Sequence, residues 1–429
     1  MTKSPEALAH AAFARGDARA VRDLLTNHPA LRERINDPAF DFNSPAIVKF
    51  ANDPMMVDVL LEFGADPNRR SEWWAGGFHA LYSATGAAAE RLLAAGAIPD
   101  ACAAAHMNRP DLLAAMTRDD PACVHQRGGD GQTPLHFATS SRVIDLLLAA
   151  GADIDARDAD HRSTAAEWML DHTQGAGRYD LALHLVERGA TADIFLAAAL
   201  GLTERVRAML EHDPALLDLR TGQGGYGQRP PSSYHIYYWT IGSSRGPLDV
   251  AAQFGQRDTL HAMEQFASPL RRYLLACRQG DEHAARAVLR EHPEVVASMQ
   301  PEDHRTISDA AWACDTRAVA LMLDLGFDPR TPGEDSGSAL HCAAWQGCVE
   351  AVQVLLKHGS APALLRTKDG CHGGTPLGWC CHGSRFGNTS KDHAGVAELL
   401  LESGALLGAD TSEASPSVER VLASARRAR

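Results

Sequence analysis

The sequence predicts an all-α solenoid, with helix–turn–helix units stacked in a row instead of gathered round one centre. Three observations carry that prediction. At 429 residues the chain exceeds what one compact core holds, yet no Pro/Gly/Ser-rich or low-complexity linker divides it. Its composition is 45% hydrophobic but only 6% aromatic, and Ala, the strongest helix former, leads the apolar share. Short apolar segments closed by Gly or Pro return at intervals near ~33 residues, the length of a two-helix repeat.

Along the chain, the first unit (residues 4–36) closes by Pro at Asn27-His28-Pro29-Ala30-Leu31. Glycine closes follow at Leu60-Leu61-Glu62-Phe63-Gly64-Ala65 and Leu92-Leu93-Ala94-Ala95-Gly96-Ala97. Asp119-Asp120-Pro121-Ala122-Cys123, His212-Asp213-Pro214-Ala215-Leu216 and Glu291-His292-Pro293-Glu294-Val295 close later units by Pro. Between and beyond them come Leu185-Val186-Glu187-Arg188-Gly189-Ala190, Met322-Leu323-Asp324-Leu325-Gly326 and Leu399-Leu400-Leu401-Glu402-Ser403-Gly404-Ala405. A closing Gly takes the left-handed conformation that ends a helix. In the Pro form, the residue before Pro is pushed out of the helix by sterics.

Two segments set the register. One is Gly131-Gln132-Thr133-Pro134-Leu135-His136-Phe137-Ala138, followed by Val143-Ile144-Asp145-Leu146-Leu147-Leu148-Ala149-Ala150-Gly151-Ala152. The other is Gly337-Ser338-Ala339-Leu340-His341-Cys342-Ala343-Ala344-Trp345-Gln346-Gly347, followed by Val352-Gln353-Val354-Leu355-Leu356-Lys357-His358-Gly359. Thr133 is placed to cap a first helix, with Pro134 in its first turn, where no N–H partner is needed. The Leu and Ala positions form the apolar stripe that packs on neighbouring helices.

The first of these segments resembles the ankyrin repeat. The resemblance implies a solenoid of roughly 11–12 helix–turn–helix units with short β-turn fingers. It also implies that His136 and His341 brace adjacent turns through hydrogen bonds. Residues 1–37 read as an N-terminal capping repeat and 38–222 as repeats. Residues 223–245 read as one long aromatic insertion, 246–410 as further repeats, and 411–429 as a C-terminal capping helix.

Function is expected where the pattern breaks. The insertion holds Tyr226, Tyr234, His235, Tyr237, Tyr238 and Trp239, and residues 234–241 are rich in strand formers, which predicts an extended finger. Such aromatics suit recognition, because they bury area and still hydrogen-bond. They serve equally to pack a long loop onto the adjoining repeats.

In ankyrin proteins the two residues after the motif's Ala-Ala pair face the concave side. By that resemblance the pairs here are Asp171/His172, Gln253/Phe254, Trp312/Ala313, Trp345/Gln346 and His382/Gly383. Trp312, Trp345 and His382 are thus expected to form a ladder, with Arg385 a candidate anion anchor. Gly378 stands where the motif His belongs, and residues 384–393 lengthen the following turn.

The C-terminal part also concentrates His341, Cys342, Cys348, Cys371, His372, Cys380, Cys381, His382 and His393. Their spacings repeat no zinc-finger or ribbon pattern, and small buried cysteines account for most of them. No metal and no cofactor is expected. The nine cysteines, with Cys380 and Cys381 adjacent, read as free thiols of a reducing cytosol.

Net charge is −13 and the five lysines are scattered, so the chain lacks the cationic face that nucleic acid requires. No apolar run reaches the ~18 residues of a membrane span, and the N-terminus lacks a secretory layout, which predicts a cytoplasmic protein without membrane contact. No phosphate loop, nucleophile elbow or H-E-x-x-H occurs. The expected function is therefore a concave groove that binds a protein partner. The alternative is a small-molecule-binding protein or enzyme with its pocket between the insertion and the later repeats. That alternative would use His235 or His382 as acid/base, Asp309 as a carboxylate, and Tyr234 or Tyr237 as donors.

Overall fold

The computed structural model describes residues 4–171, 177–221, 232–242 and 244–428. It divides into two compact units, residues 1–205 with 219–256 and residues 206–218 with 257–429. Among the described residues there is no β-strand, only the isolated bridges Phe40–Ser44 and Arg157–Thr164 in turns between helices. The chain is an all-α stack of short antiparallel helix pairs. Pairs of the first unit include Pro5–Ala14 with Ala18–Asn27 and Ala101–His106 with Pro110–Asp119. In the second unit they are Pro269–Arg278 with Glu282–Glu291, Thr306–Trp312 with Thr316–Asp324, Ala339–Trp345 with Val349–Lys357, and Pro376–Phe386 with His393–Glu402.

The caps explain why these segments stop and start where they do. Aspartates initiate many helices: Asp100 accepts from Ala103 N at 2.9 Å and Asp315 from Ala318 N at 3.0 Å. Gly64, Gly96, Gly151, Gly189, Gly326 and Gly404 all have φ between 87° and 108° at second-helix ends, as their sequence positions predict. Each lets the next residue reach back, as Ala152 N does to Leu147 O at 2.9 Å. At the Pro closes, His28, Asp120 and His292 leave the helix with ψ of 85°, 94° and 69°.

Three local expectations need correction. Residues 133–138 form consecutive turns, not a capped helix. Only five residues separate Thr133 from Thr139, and Ser140 already caps the second helix, accepting from Val143 N at 3.3 Å. Gly359 does not take the left-handed close. The helix Val349–Lys357 ends through extended His358 (ψ 149°), and a short helix, Ala361–Leu364, follows.

The third correction concerns the insertion. Residues 232–240 are the helix Ser232–Thr240, not an extended finger. Ile236, Tyr237, Thr240 and Ile241 are buried at helical spacing, whereas Trp239 is exposed. Burial of that face against the helix Ala165–Trp168 overrides the strand preference of the aromatic and β-branched residues.

Adjacent turns are tied by one column of side chains. His136 Nε2 donates to Ser163 O at 3.0 Å while its Nδ1 accepts from Thr133 N at 3.2 Å. His341 repeats the arrangement, reaching Gly374 O at 3.2 Å and accepting from Ser338 N at 3.2 Å. Where the column carries Ser308, its hydroxyl donates to Thr331 O at 2.7 Å. Where it carries Gly378, Asp410 reaches in from the next turn and accepts from Thr375 N and Oγ1 at 2.8 and 2.7 Å. The bracing role implied by the resemblance is thus filled by histidine at two of these positions and by other chemistry at Ser308 and Gly378.

Candidate functional site

The most distinctive exposed feature of the second unit is an aromatic ladder. Trp312 and Trp345 end successive first helices and stack with centroids 6.3 Å apart and 12° between planes. His382 follows 5.5 Å from Trp345, and Phe386, one helical turn on and 56% exposed, lies 4.5 Å from His382. Trp379 closes on Trp345 from behind in an edge contact at 6.0 Å, and its indole donates to Asp369 at 2.9 Å. The ladder's own rings stay half-buried or exposed. Arg385 lies 5.0 Å over Phe386. Gly383 belongs to the packing: a Cβ there would overlap the Trp345 carbonyl group. His393, which donates to Trp345 O at 2.8 Å, fixes the same backbone from another side.

Within the first unit, Tyr237 is fully buried, its ring 5.5 Å from Phe195, and its hydroxyl donates to Asp193 at 3.1 Å. Burial pushes its phenol well above the usual range, and the Asp193 and Glu167 charges add to this. Tyr237 is thus a packing residue of the insertion and not an exposed contact. Tyr238 and Trp239 pack edge to face at 4.9 Å, with Trp239 59% exposed. Tyr226, His172 and the side chains of Tyr234 and His235 lie outside the described residues. Gln253 and Phe254 line a cleft of about 480 Å³ with Tyr179, Asp180, Leu183 and Gln256. Phe254 meets Tyr179 edge-on at 5.5 Å.

Two of the residues considered for acid–base chemistry, Asp309 and His382, each have other partners. Asp309 is buried between Arg305 at 3.3 Å and Arg278 at 3.7 Å. His382 faces Glu413 at 3.2 Å, and no hydrogen bond or ion pair joins it to Asp309. The C-terminal Cys/His residues are likewise spread among separate tasks. His341 braces a turn, Cys380 donates to His393 O at 3.2 Å, and burial pushes the Cys381 thiol up to about 12. The expectation of free thiols fails for one pair: Cys314 and Cys348 form a disulfide with Cα atoms 5.6 Å apart. Cys314 occupies the left-handed position (φ 58°) held by Gly280 and Gly347 in neighbouring pairs, which turns it towards the following pair.

Two groups of residues escaped the sequence reading. Arg278 falls in the ladder's column, after Ala276-Cys277, but its side chain is turned to Asp309 and is 14% exposed. The small-residue pair before it was the available signal. In the first unit Phe42, Trp73, Trp74 and Phe78 cluster at turn tips, Phe42 and Trp73 edge-on at 5.1 Å, with Trp74 69% exposed. Adjacent tryptophans in a lengthened turn, Arg70 to Phe78, carried that signal.

Comparison with known proteins bears on both units. The model described as ankyrin repeats (3 copies) matches residues 307–411, which contain the ladder. The single ankyrin repeat model matches residues 130–159. The mouse (Mus musculus) ankyrin repeat and SAM domain-containing protein 6 is 32% identical over 119 residues, 27% of this chain. The match spans 13% of that relative's length. Among the described residues no helix is long and apolar enough to cross a membrane.

Proposed function

We propose, on the premise that the chain is an ankyrin-repeat protein, that it binds a protein partner through the ladder face of its second unit. Ankyrin repeats are generally protein-interaction modules, and the single observation that carries the reading is the Trp312–Trp345–His382–Phe386 run. Large rings held half-exposed at consecutive repeats supply contact area at small entropic cost, because few torsions remain to be fixed. Disulfide and close backbone packing at Gly383 and His393 hold these rings in place before binding, which limits the ordering cost further. Arg385, next to Phe386, offers a cation to an acidic group at the rim. In the first unit, Gln253 and Phe254 offer a second, smaller contact area in the cleft beside Tyr179.

The test is retention from cell extract on immobilised full-length protein, wild type against Trp312→Ala/Trp345→Ala. The control is Glu187→Ala, an exposed position outside the ladder. Retained proteins lost from the ladder variant but kept by the control support the reading. The same set on all three columns refutes it.

A further inference from the structure

The turn tips of the first unit bring together three ionisable groups that take no part in the ladder. Asp130 sits at the apex of the turn Gly128–Gly131 with φ 56°, and Asp160 and His161 sit at the apex of the next turn. One ligand atom from each of Asp130, Asp160 and His161 lies within 4.8 Å of the other two. The two apices are locked together, since the Asp130 carbonyl accepts from Ala159 N and Asp160 N at 2.9 and 3.1 Å.

Asp130 and Asp160 are buried residues, 7% and 8% exposed, and 10% of the Asp160 side chain stays open to solvent. Neither side chain accepts a hydrogen bond among the described residues; Asp160 Oδ2 meets the His161 imidazole, with Nδ1 at 3.7 Å, and Asp130 Oδ1 is fully enclosed without a partner. Trp73 directs its indole N–H towards Asp130 without reaching hydrogen-bond geometry. Asp158, by contrast, is fully employed: it accepts from the backbone of Arg162 and Ser163 and from Trp168 Nε1. Trp168 also meets the His161 ring edge-on at 4.8 Å, which fixes the imidazole.

Close packing keeps water from Asp130 Oδ1. Side chains at Gly76 or Gly131 would overlap the facing turn, and one at Gly129 would overlap Phe78. An enclosed, unpartnered Asp130 oxygen beside a second carboxylate is unfavourable unless a cation or a proton lies between them.

We propose that Asp130, Asp160 and His161 form a site for a divalent transition-metal cation, of which zinc is the representative. Two carboxylate oxygens and one imidazole nitrogen are the mixed donor set such ions take, with water completing the shell. Ligand atoms around tetrahedral zinc stand roughly 3.3 Å apart, so the group closes by at most about 1.5 Å on binding. A cation here would clip two consecutive turns, and so stiffen the tips beside the Trp73–Trp74 cluster.

The experiment uses the full chain, stripped with chelator and dialysed against buffered zinc chloride, with metal content measured by mass spectrometry. Wild type is compared with Asp160→Asn and His161→Gln, and circular dichroism checks that each is folded. The expected result is one more zinc per chain in wild type than in either variant. Affinity should fall at least about tenfold on loss of one ligand. Cobalt in place of zinc should give that extra equivalent a spectrum without a thiolate charge-transfer band. Equal zinc content in all three proteins, or a thiolate band on the extra equivalent, overturns the proposal. In the first case the carboxylates share a proton instead.

Discussion

Asp410 fills the space that a side chain at Gly378 would need: its Cγ stands 2.8 Å from where a Cβ would be. The two positions are complementary. Losing the motif His at 378 opens a volume, and a carboxylate from the next turn enters it to hold Thr375. Gly378→Ala should therefore destabilise the protein by about 1–3 kcal/mol through overpacking, despite the helix preference of Ala. Asp410→Ala removes the overlap, so the double variant should cost less than the sum of the two singles. Urea unfolding of the four proteins measures this, and additive effects would contradict the contact.

Tyr237 tests the correction made to the insertion. Because its hydroxyl is enclosed and bonded to the Asp193 carboxylate that caps the helix Ile194–Ala199, Tyr237→Phe should cost about 1–3 kcal/mol. Tyr237→Ala should cost about 3–5 kcal/mol. Trp239→Ala, at an exposed position, should stay within about 0.5 kcal/mol. Thermal or urea unfolding ranks the three. An innocuous Tyr237→Ala would mean that the helix does not pack as described.

The thiol count is a direct check on the cysteines. Ellman titration of the unfolded, unreduced chain should find seven free thiols, namely Cys102, Cys123, Cys277, Cys342, Cys371, Cys380 and Cys381. Reduction should raise the count to nine and lower stability by about 2–4 kcal/mol, through release of the 34-residue loop from Cys314 to Cys348. Nine thiols before reduction would remove the disulfide from the account.

His136 predicts a pH dependence. Burial is the main cause that lowers its pKa from 6.5 to about 4. The unfolded chain thus takes up the proton first, and stability is full above pH 6.5 and declines as pH falls towards 4. Between pH 7.5 and 5 this one imidazole should account for about 2 kcal/mol. The difference in urea midpoint between wild type and His136→Gln isolates it from carboxylates titrating in the same range. A difference that stays constant with pH would contradict the assignment.

Much of this architecture could be read from the chain. The Gly closes and the Pro stops act within a few residues, through steric rules that need no tertiary context, and, Gly359 apart, they turned up in place. So did the histidine brace, because His136 and His341 stand in motifs that specify their partners' positions as well as their own. The Trp312–Trp345 stack was legible for the same reason: equal offsets in successive repeats put side chains side by side.

What failed was long-range. Tyr237 looked like a strand residue until the helix Ala165–Trp168 supplied the surface that buries it. Cys314 and Cys348 are 34 residues apart in unlike motif positions, and only the left-handed turn at Cys314 aims one at the other. Asp130 and Asp160 belong to different repeats, each an ordinary turn residue by itself, and their confrontation exists only once the turns are stacked.

The most direct test of the central claim is hydroxyl-radical footprinting of the protein with and without a retained partner. Side-chain oxidation is read at each tryptophan. Trp312 and Trp345 should be protected on binding, with Trp74 and Trp239, the most exposed indoles, oxidised as before. Unchanged oxidation of Trp312 and Trp345 in the presence of a bound partner would contradict it.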